Sequence, residues 1–209
     1  MPHKKRPLDR DGGAVRDASL VIIACEDTYA VRQYFARFRT RKVQFVVLPT
    51  QHGRSSPPDV LGRLDRFRDE VATEEGDLLW VCLDTDHWAQ ANHIQNLRQV
   101  LQQCRQKGYH VALNNPCFEL WLLLHFEACA ASAVVTCRDV ISALRRAAGS
   151  YQKCRCEALT IQASQVHLAV TRAKTMDMDP DDILPSRPMT RVYRLIELLQ
   201  QRDSVQLTT

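Results

Sequence analysis

An unbroken run of six apolar residues, 78–83, leads into two aspartates placed two apart, Asp84 and Asp86. A short apolar run that ends in polar residues is typical of a strand buried on both faces, as in a parallel sheet covered by helices. In such sheets, ligands and chemistry collect at the carboxyl ends of the strands. The two aspartates therefore lie at the carboxyl end of the predicted strand, where parallel sheets carry their functional residues.

The rest of the chain fits a sheet of this kind. Further apolar runs predict strands at residues 19–25, 43–48 and 109–113, with stretches of helical periodicity between them. Val31, Tyr34, Phe35 and Phe38 form one such helical stripe. Because strand–helix–strand crossovers join parallel strands, the pattern predicts an α/β, Rossmann-like fold with a mostly parallel sheet of about four strands flanked by helices.

The chain divides into three predicted parts. Residues 1–17 are polar, basic and broken by proline and glycine, which predicts a flexible N-terminal arm. Residues 18–130 carry the α/β domain, including an almost wholly apolar, and therefore buried, helix at 117–126 that is expected to start at Asn115 and Pro116. Residues 131–209 read as a helical extension packed on that domain, with a capping-box pattern beginning at Thr136.

Composition excludes several classes of protein. Apolar residues make up 45% of the chain and charged residues 25%, as in soluble globular proteins, and no apolar run approaches a membrane span. No secretory signal is recognisable, and most of the eight cysteines fall inside predicted elements, which favours reduced thiols in a cytoplasmic protein. The net charge of +4 is compatible with a nucleic-acid partner but does not require one.

Four carboxylates follow the predicted strands. Glu26 comes after the first strand, Asp84 and Asp86 after the third, and Glu119 in the first turn after the fourth. The carboxyl ends of parallel strands lie at one edge of the sheet, so these groups are expected to share a crevice, where their repulsion calls for a cation. Hard oxygen ligands suit Mg²⁺ or Mn²⁺, which can activate water for phosphodiester cleavage.

Each of these residues also has a purely structural interpretation. Asp84 could form an Asx turn, Asp86 could cap a helix, and Glu119 could simply favour the helix dipole. Their coincidence at one edge favours the metal site. His87 beside Asp86 offers a rival general base or ligand. Basic residues that could contact backbone phosphates, or could be ordinary surface residues, are Arg54, Lys153, Lys174 and Arg187.

Several motifs resemble those of the RloB-like proteins, members of the Toprim superfamily. The most specific is residues 115–126, which read NPCFELWLLLHF. The resemblance covers almost the whole chain, and the other segments that carry it are residues 22–26, 83–86, 151–153, 173–174 and 187–190. It implies a Toprim-like fold with Glu26 as general acid/base and Asp84 and Asp86 as magnesium ligands. Asp27, His87 and Asn115 are accessory candidates around that site.

The same resemblance implies an antiviral setting in bacteria or archaea, with a defence-system partner protein, and nuclease activity on RNA or DNA, including transfer RNA. One departure bears on this. The family pattern after the first strand is Glu-Gly-x-x-Glu, whereas this chain has Glu26, Asp27 and, in place of the second glutamate, Ala30. Asp27 could replace the lost carboxylate, or the domain could bind nucleic acid or protein without cleaving it. A metal-dependent enzyme acting on a nucleotide or small phosphate ester is a third interpretation.

Overall fold

The computed structural model describes residues 18–40, 42–50, 52–88, 93–202 and 206–207. The predicted arm, residues 1–17, lies outside them. In chain order the elements are β1 (Ser19–Cys25), α1 (Ala30–Phe35), β2 (Phe38–Arg39), β3 (Val43–Leu48), α2 (Pro57–Glu70), β4 (Leu78–Asp84), α3 (Ile94–Lys107), β5 (His110–Asn115), α4 (Glu119–Leu123), α5 (Cys137–Ala148), α6 (Ala163–Met176), β6 (Met189–Thr190), α7 (Val192–Arg202) and β7 (Gln206–Leu207). Two short 3₁₀ helices, Ala131–Ala133 and Lys153–Ala158, lie in the second half.

A five-stranded sheet in the order β3-β1-β4-β5-β6 forms the centre of the fold. The first four strands in that order are parallel, and only β6 is antiparallel to its neighbour β5. Strand β4, the apolar run of residues 78–83, pairs on both sides, with β1 and β5. The predicted Rossmann-like, mostly parallel sheet is thus confirmed.

Helices cover both faces of this sheet. Apolar side chains of β1 alternate between two cores: Val21 and Ile23 pack with α1, α4, α5 and α7, while Leu20 and Ile22 pack with α2 and α3. Burial on both faces is the reason that the strands read as continuous apolar runs rather than alternating ones. All five residues of α4 are buried, Glu119 included, as the almost wholly apolar sequence of residues 117–126 predicts.

Residues 131–209 do more than add helices. Met189 and Thr190 form β6 and pair with Asn115 and Asn114, so this region completes the sheet beside the end of β5. The helix α5 begins with the predicted capping box, in which Thr136 and Asp139 exchange hydrogen bonds. The C-terminal region therefore reaches the same edge of the sheet as the carboxylates.

Three local predictions were wrong. The stripe ending at Phe38 predicted one helix, but α1 ends at Phe35 and Phe38 belongs to β2, which pairs with β7. The predicted helix start at Asn115 and Pro116 is instead the end of β5 followed by a cis peptide bond, and α4 begins at Glu119.

The third correction concerns the cysteines. Cys117 and Cys137, expected to be reduced, are joined by a disulfide that connects the start of α4 with the first residue of α5, their Cα atoms 5.8 Å apart. The residues lie 20 positions apart in sequence, so their proximity arises from the packing of the two helices.

None of the helices in the described residues combines the length and apolarity that crossing a bilayer requires.

His125 lies inside the core below α4. It is 1% exposed, its Nδ1 lies 2.9 Å from the carbonyl oxygen of Trp121, and its Nε2 lies 3.1 Å from the Tyr34 hydroxyl. Because a carbonyl only accepts, Nδ1 carries the proton and Nε2 accepts from Tyr34. Burial lowers the pKa of His125 to about 4. The imidazole is therefore neutral and structural.

This histidine makes stability depend on pH. Its usual pKa of 6.5 falls to about 4 in the folded protein, so between these values the unfolded chain takes up a proton that the native state does not. Stability should therefore fall as the pH drops, by about 2.5 kcal/mol between pH 7 and pH 4.5 from this residue. Urea unfolding of His125→Gln should show a correspondingly smaller loss, whereas exposed His167→Gln should keep the wild-type loss. Equal losses in wild type and His125→Gln would contradict the assignment.

Candidate carboxylate site at the carboxyl edge of the sheet

Glu26, the residue that follows β1, meets Asp84, the last residue of β4. The backbone N–H of Asp84 donates to Glu26 Oε1 at 3.1 Å, and the indole N–H of Trp88 donates to Glu26 Oε2 at 2.7 Å. The parallel pairing of Cys25 with Cys82 sets this register and brings the two strand ends side by side. Glu26 is thereby held with both carboxylate oxygens engaged and its side chain mostly buried.

Burial and mutual repulsion raise the pKa values of both carboxyls. Burial raises the pKa of Glu26 to about 8, against the lowering effect of its hydrogen bonds from Trp88 and Asp84. For Asp84, burial raises the pKa well above its usual value, and the charges of Glu26 and Glu119 raise it further. Without a metal, these carboxyls therefore keep their protons to a higher pH than usual, and their ionised forms are unfavourable unless a cation compensates the charge.

Asp84 is oriented by a buried polar relay from the next two strands. Asn114 Nδ2 donates to Asp84 Oδ1 at 3.1 Å, and Asn114 Oδ1 accepts from the Thr190 hydroxyl at 2.7 Å. Both Asn114 and Thr190 are 0% exposed. The strand β6, supplied by the C-terminal region, therefore helps to set the orientation of the carboxylate on β4.

Asp86 lies in the turn that follows β4 and is less enclosed. Its Oδ1 accepts from the backbone N–H of His87 at 2.9 Å, and its Oδ2 lies 3.5 Å from His87 Nε2. The side chain of His87 is 77% exposed. Asp86 can therefore offer oxygen atoms toward solvent beside Asp84, while His87 stands at the rim.

Asp27, the residue after Glu26, has a structural role in this chain. Its Oδ1 accepts from the backbone N–H groups of Tyr29 and Ala30, which closes the first turn of α1. Its Oδ2 lies 3.3 Å from Lys153 Nζ. Asp27 thus orders the loop that carries Glu26 and reaches the same cluster as the other carboxylates.

Glu119 opens α4 and is 1% exposed. Its Oε1 accepts from the Tyr151 hydroxyl at 3.1 Å and lies 3.5 Å from Lys153 Nζ, while its Oε2 is buried without a hydrogen-bond partner. The predicted convergence of Glu119 with the other acids is seen, but the cation next to it is the ammonium group of Lys153. Ligation of a metal by Glu119 stays a prediction.

The other predicted contacts are distributed around this edge. Asn115 donates through Nδ2 to the carbonyl oxygens of Pro185 and Arg187 and accepts from Thr85 at 2.9 Å, so it pins the loop that carries Arg187. On the opposite flank, the guanidinium of Arg63 donates to the carbonyl oxygens of Arg54 and Cys25, both at 2.7 Å. Both Arg54 and Arg187 are exposed.

Lys174 differs from these residues. Its Nζ lies 2.6 Å from Glu197 Oε1, which joins α6 to α7 on the surface. It therefore makes an ordinary surface ion pair and gives no support to the phosphate contact predicted for it.

The geometry constrains what ion could bind. Among the described residues, the group whose potential ligand atoms all lie within 4.8 Å of one another is Cys117, Glu119 and Cys137, and its two sulfurs are already joined in the disulfide. Glu26, Asp84 and Asp86 do not form such a closed cage. Mg²⁺ binds through one or two carboxylates, several waters and substrate phosphates, so this open arrangement of hard oxygens fits Mg²⁺ or Mn²⁺ better than a structural zinc.

Three contributors to the site had no role in the sequence prediction. Trp88 holds Glu26, Asn114 holds Asp84, and Tyr151 holds Glu119. A local signal existed for two of them, because Asn114 directly follows a predicted strand and Tyr151 belongs to a segment that resembles the family. Trp88 carries no signal beyond its position two residues after Asp86, since an aromatic residue there is as easily explained by the core.

Comparison with known proteins identifies the family. Neither the curated proteins nor the solved structures include a significant match to this chain. The sequence model of the RloB-like proteins matches residues 21–199, a span that runs from β1 to α7 and includes each carboxylate described above. Since the match covers most of the chain, the protein belongs to the RloB-like family.

Proposed function

We propose that this protein is a metal-dependent nuclease that hydrolyses phosphodiester bonds in RNA or DNA. The observation that supports it best is the hydrogen bond from the backbone N–H of Asp84 to Glu26 Oε1, which joins two partly buried acidic residues at the carboxyl edge of the sheet whose pKa values are raised. Groups with strongly perturbed pKa values in such a place are typical of catalytic sites. The Toprim relationship implied by the motifs belongs to the same proposal.

Asp84 and Asp86 would hold Mg²⁺ or Mn²⁺. When bound, such an ion lowers the pKa of a coordinated water and stabilises the negative charge on the phosphate oxygens. Glu26 would handle the proton, because burial raises the pKa of its carboxyl to about 8 in the metal-free protein, which brings the group from the acidic range toward neutral pH. The hydrogen bonds from Trp88 and the Asp84 backbone keep the Glu26 carboxylate in one orientation for this role.

A polymeric substrate is favoured by the basic residues that flank the edge. Arg54 lies on the loop after β3, and Arg187 lies on the loop before β6, on opposite sides of the carboxylates. Exposed guanidinium groups on both sides suit a phosphate backbone that crosses the site, and the chain has a net charge of +4. The antiviral setting, a defence-system partner and a transfer-RNA substrate rest on the family resemblance alone.

The direct test is an incubation of purified protein with end-labelled RNA, transfer RNA, single-stranded DNA and duplex DNA. Each substrate is offered with Mg²⁺, with Mn²⁺ or with EDTA, and the products are separated on a sequencing gel. We expect cleavage of at least one polymer with either metal and none with EDTA. Cleavage that persists in EDTA, or the absence of cleavage from every polymer, would contradict the proposal.

A second candidate is a domain that binds nucleic acid without cutting it. Lys153 favours this alternative, because its ammonium group already neutralises part of the acidic cluster through Asp27 and Glu119. Metal-dependent retention of RNA or DNA on a filter, with the polymer recovered intact, would support this candidate. Turnover of free nucleotides, detected by mass analysis, would instead indicate an enzyme for small phosphate esters.

A further inference from the structure

Lys153 is the first residue of the 3₁₀ helix Lys153–Ala158, and its ammonium group lies between two acidic residues of the site. Its Nζ is 3.3 Å from Asp27 Oδ2 and 3.5 Å from Glu119 Oε1. Asp27 and Glu119 are 8% and 1% exposed, whereas the lysine side chain is 51% exposed. The lysine thus approaches two enclosed carboxylates from the solvent side.

The segment that carries Lys153 is anchored on α1 and on the turn that follows it. Gln33 accepts from the backbone N–H of Cys156 at 2.7 Å and donates to the carbonyl oxygen of Cys154 at 3.0 Å. The guanidinium of Arg37 donates to the carbonyl oxygens of Cys156 and Leu159. One side chain of α1 and one of the turn that follows it therefore hold this segment through its backbone, which keeps the backbone that carries Lys153 beside the acidic cluster.

The acidic cluster has two halves that differ in how their charge is compensated. Asp27 and Glu119 form one half, and both contact Lys153. Asp84 and Asp86 form the other half, where no lysine or arginine ion pair is seen among the described residues, and Lys153 acts on Asp84 only through its longer-range charge. An added divalent ion would meet repulsion from the ammonium group in the first half and much less of it in the second.

We infer that Lys153 is a built-in cation that occupies the Asp27–Glu119 half of the site, so that this half excludes a divalent ion and the protein binds a single metal at Asp84 and Asp86. The inference rests on the proposed function for the location of that metal. Glu119 adds an independent observation, since its Oε2 is buried without a hydrogen-bond partner. Removal of the ammonium group would leave this carboxylate in strong need of a cation, and a second divalent ion could supply it.

The test is a count of bound Mn²⁺ by equilibrium dialysis and by electron paramagnetic resonance of the free ion. Wild type should bind one Mn²⁺, and Lys153→Met, which keeps the aliphatic stem but removes the charge, should bind two. The second ion should be lost again in Lys153→Met combined with Glu119→Gln. The matched control is Lys174→Met, which removes the same group from a surface ion pair and should keep one ion. Two ions in wild type, or one ion in both wild type and Lys153→Met, would overturn the inference.

The design separates this inference from the proposed function. If wild type binds no Mn²⁺ but Lys153→Met binds one, the lysine does occupy a cation position and the proposed Asp84–Asp86 metal site fails. If neither protein binds Mn²⁺, both fail. If Lys153→Met does not fold, the single variant Glu119→Gln is measured instead. This variant should still bind one Mn²⁺, with an affinity within about threefold of the wild-type value. Loss of that ion would show that Glu119 is a ligand and would overturn the inference.

Discussion

Asp84→Asn is expected to lower the rate of phosphodiester cleavage by about 100- to 1000-fold, which corresponds to about 3 to 4 kcal/mol of lost transition-state stabilisation. Asparagine keeps the shape of the side chain and can still accept the hydrogen bond that Asn114 donates to Oδ1. What it removes is the negative charge beside Asp86 that would hold the metal. The loss should therefore be catalytic rather than structural.

Three measurements accompany this variant. Its rate in Mg²⁺ and Mn²⁺ is compared with wild type, its Mn²⁺ affinity should fall by at least about tenfold, and its thermal unfolding in EDTA should show no loss of stability, because burial already raises the pKa of Asp84. The matched control is Asp69→Asn, the same exchange at an aspartate whose side chain is 69% exposed and pairs with Arg68. Wild-type cleavage and Mn²⁺ binding by Asp84→Asn would remove Asp84 from the site.

Glu26→Gln is expected to stabilise the metal-free protein at high pH, by at most about 4 kcal/mol more at pH 9 than at pH 5. The pKa of Glu26 is about 8 in the folded protein against its usual 4.5, so the native state holds a proton that the unfolded state has lost. The cost of ionising the buried group is absent below about pH 4.5 and complete above about pH 8. Glutamine is neutral like the protonated acid and does not carry this cost, while the one hydrogen bond that its amide nitrogen cannot accept is lost equally at every pH.

Urea unfolding in EDTA at several pH values measures the effect directly. The difference in unfolding free energy between Glu26→Gln and wild type should grow from pH 5 to pH 9, and the exposed Glu157→Gln should show no such trend. Glu26→Gln should also lose cleavage activity, because the ionisable group that costs stability is the one proposed to transfer the proton. A difference that does not change with pH would mean that Glu26 ionises normally.

The ends of the central strands could be read from the sequence. The run of residues 19–25 became β1 with the same bounds, and the run 43–48 became β3. Strands buried on both faces are continuous in apolar character and are interrupted only where the chain leaves the core. The same interruptions place Glu26, Asp84 and Glu119 after strands, so their convergence at one edge followed from the order of elements.

Very short strands could not be read in this way. Phe38–Arg39 and Met189–Thr190 consist of two residues each and become strands only because β7 and β5 lie beside them. A two-residue strand has no periodicity of its own, and helical spacing of Phe38 with Tyr34 was the stronger local pattern. The partners are far away in the chain, so tertiary pairing overrides the local signal.

The apolar run before Asp84 and Asp86, together with the order of the predicted strands and helices, was enough to place carboxylates at the functional edge of a parallel sheet. Both features can be read along the chain, because a buried strand is a continuous apolar run and the strands follow one another in sequence. Only the tertiary structure decided how each carboxylate is compensated. Trp88 contacts Glu26, Asn114 contacts Asp84, and Lys153 contacts Asp27 and Glu119. These contacts join segments that are far apart in the chain and meet only when the sheet and the C-terminal region have packed together, and such contacts leave no periodic trace in the sequence.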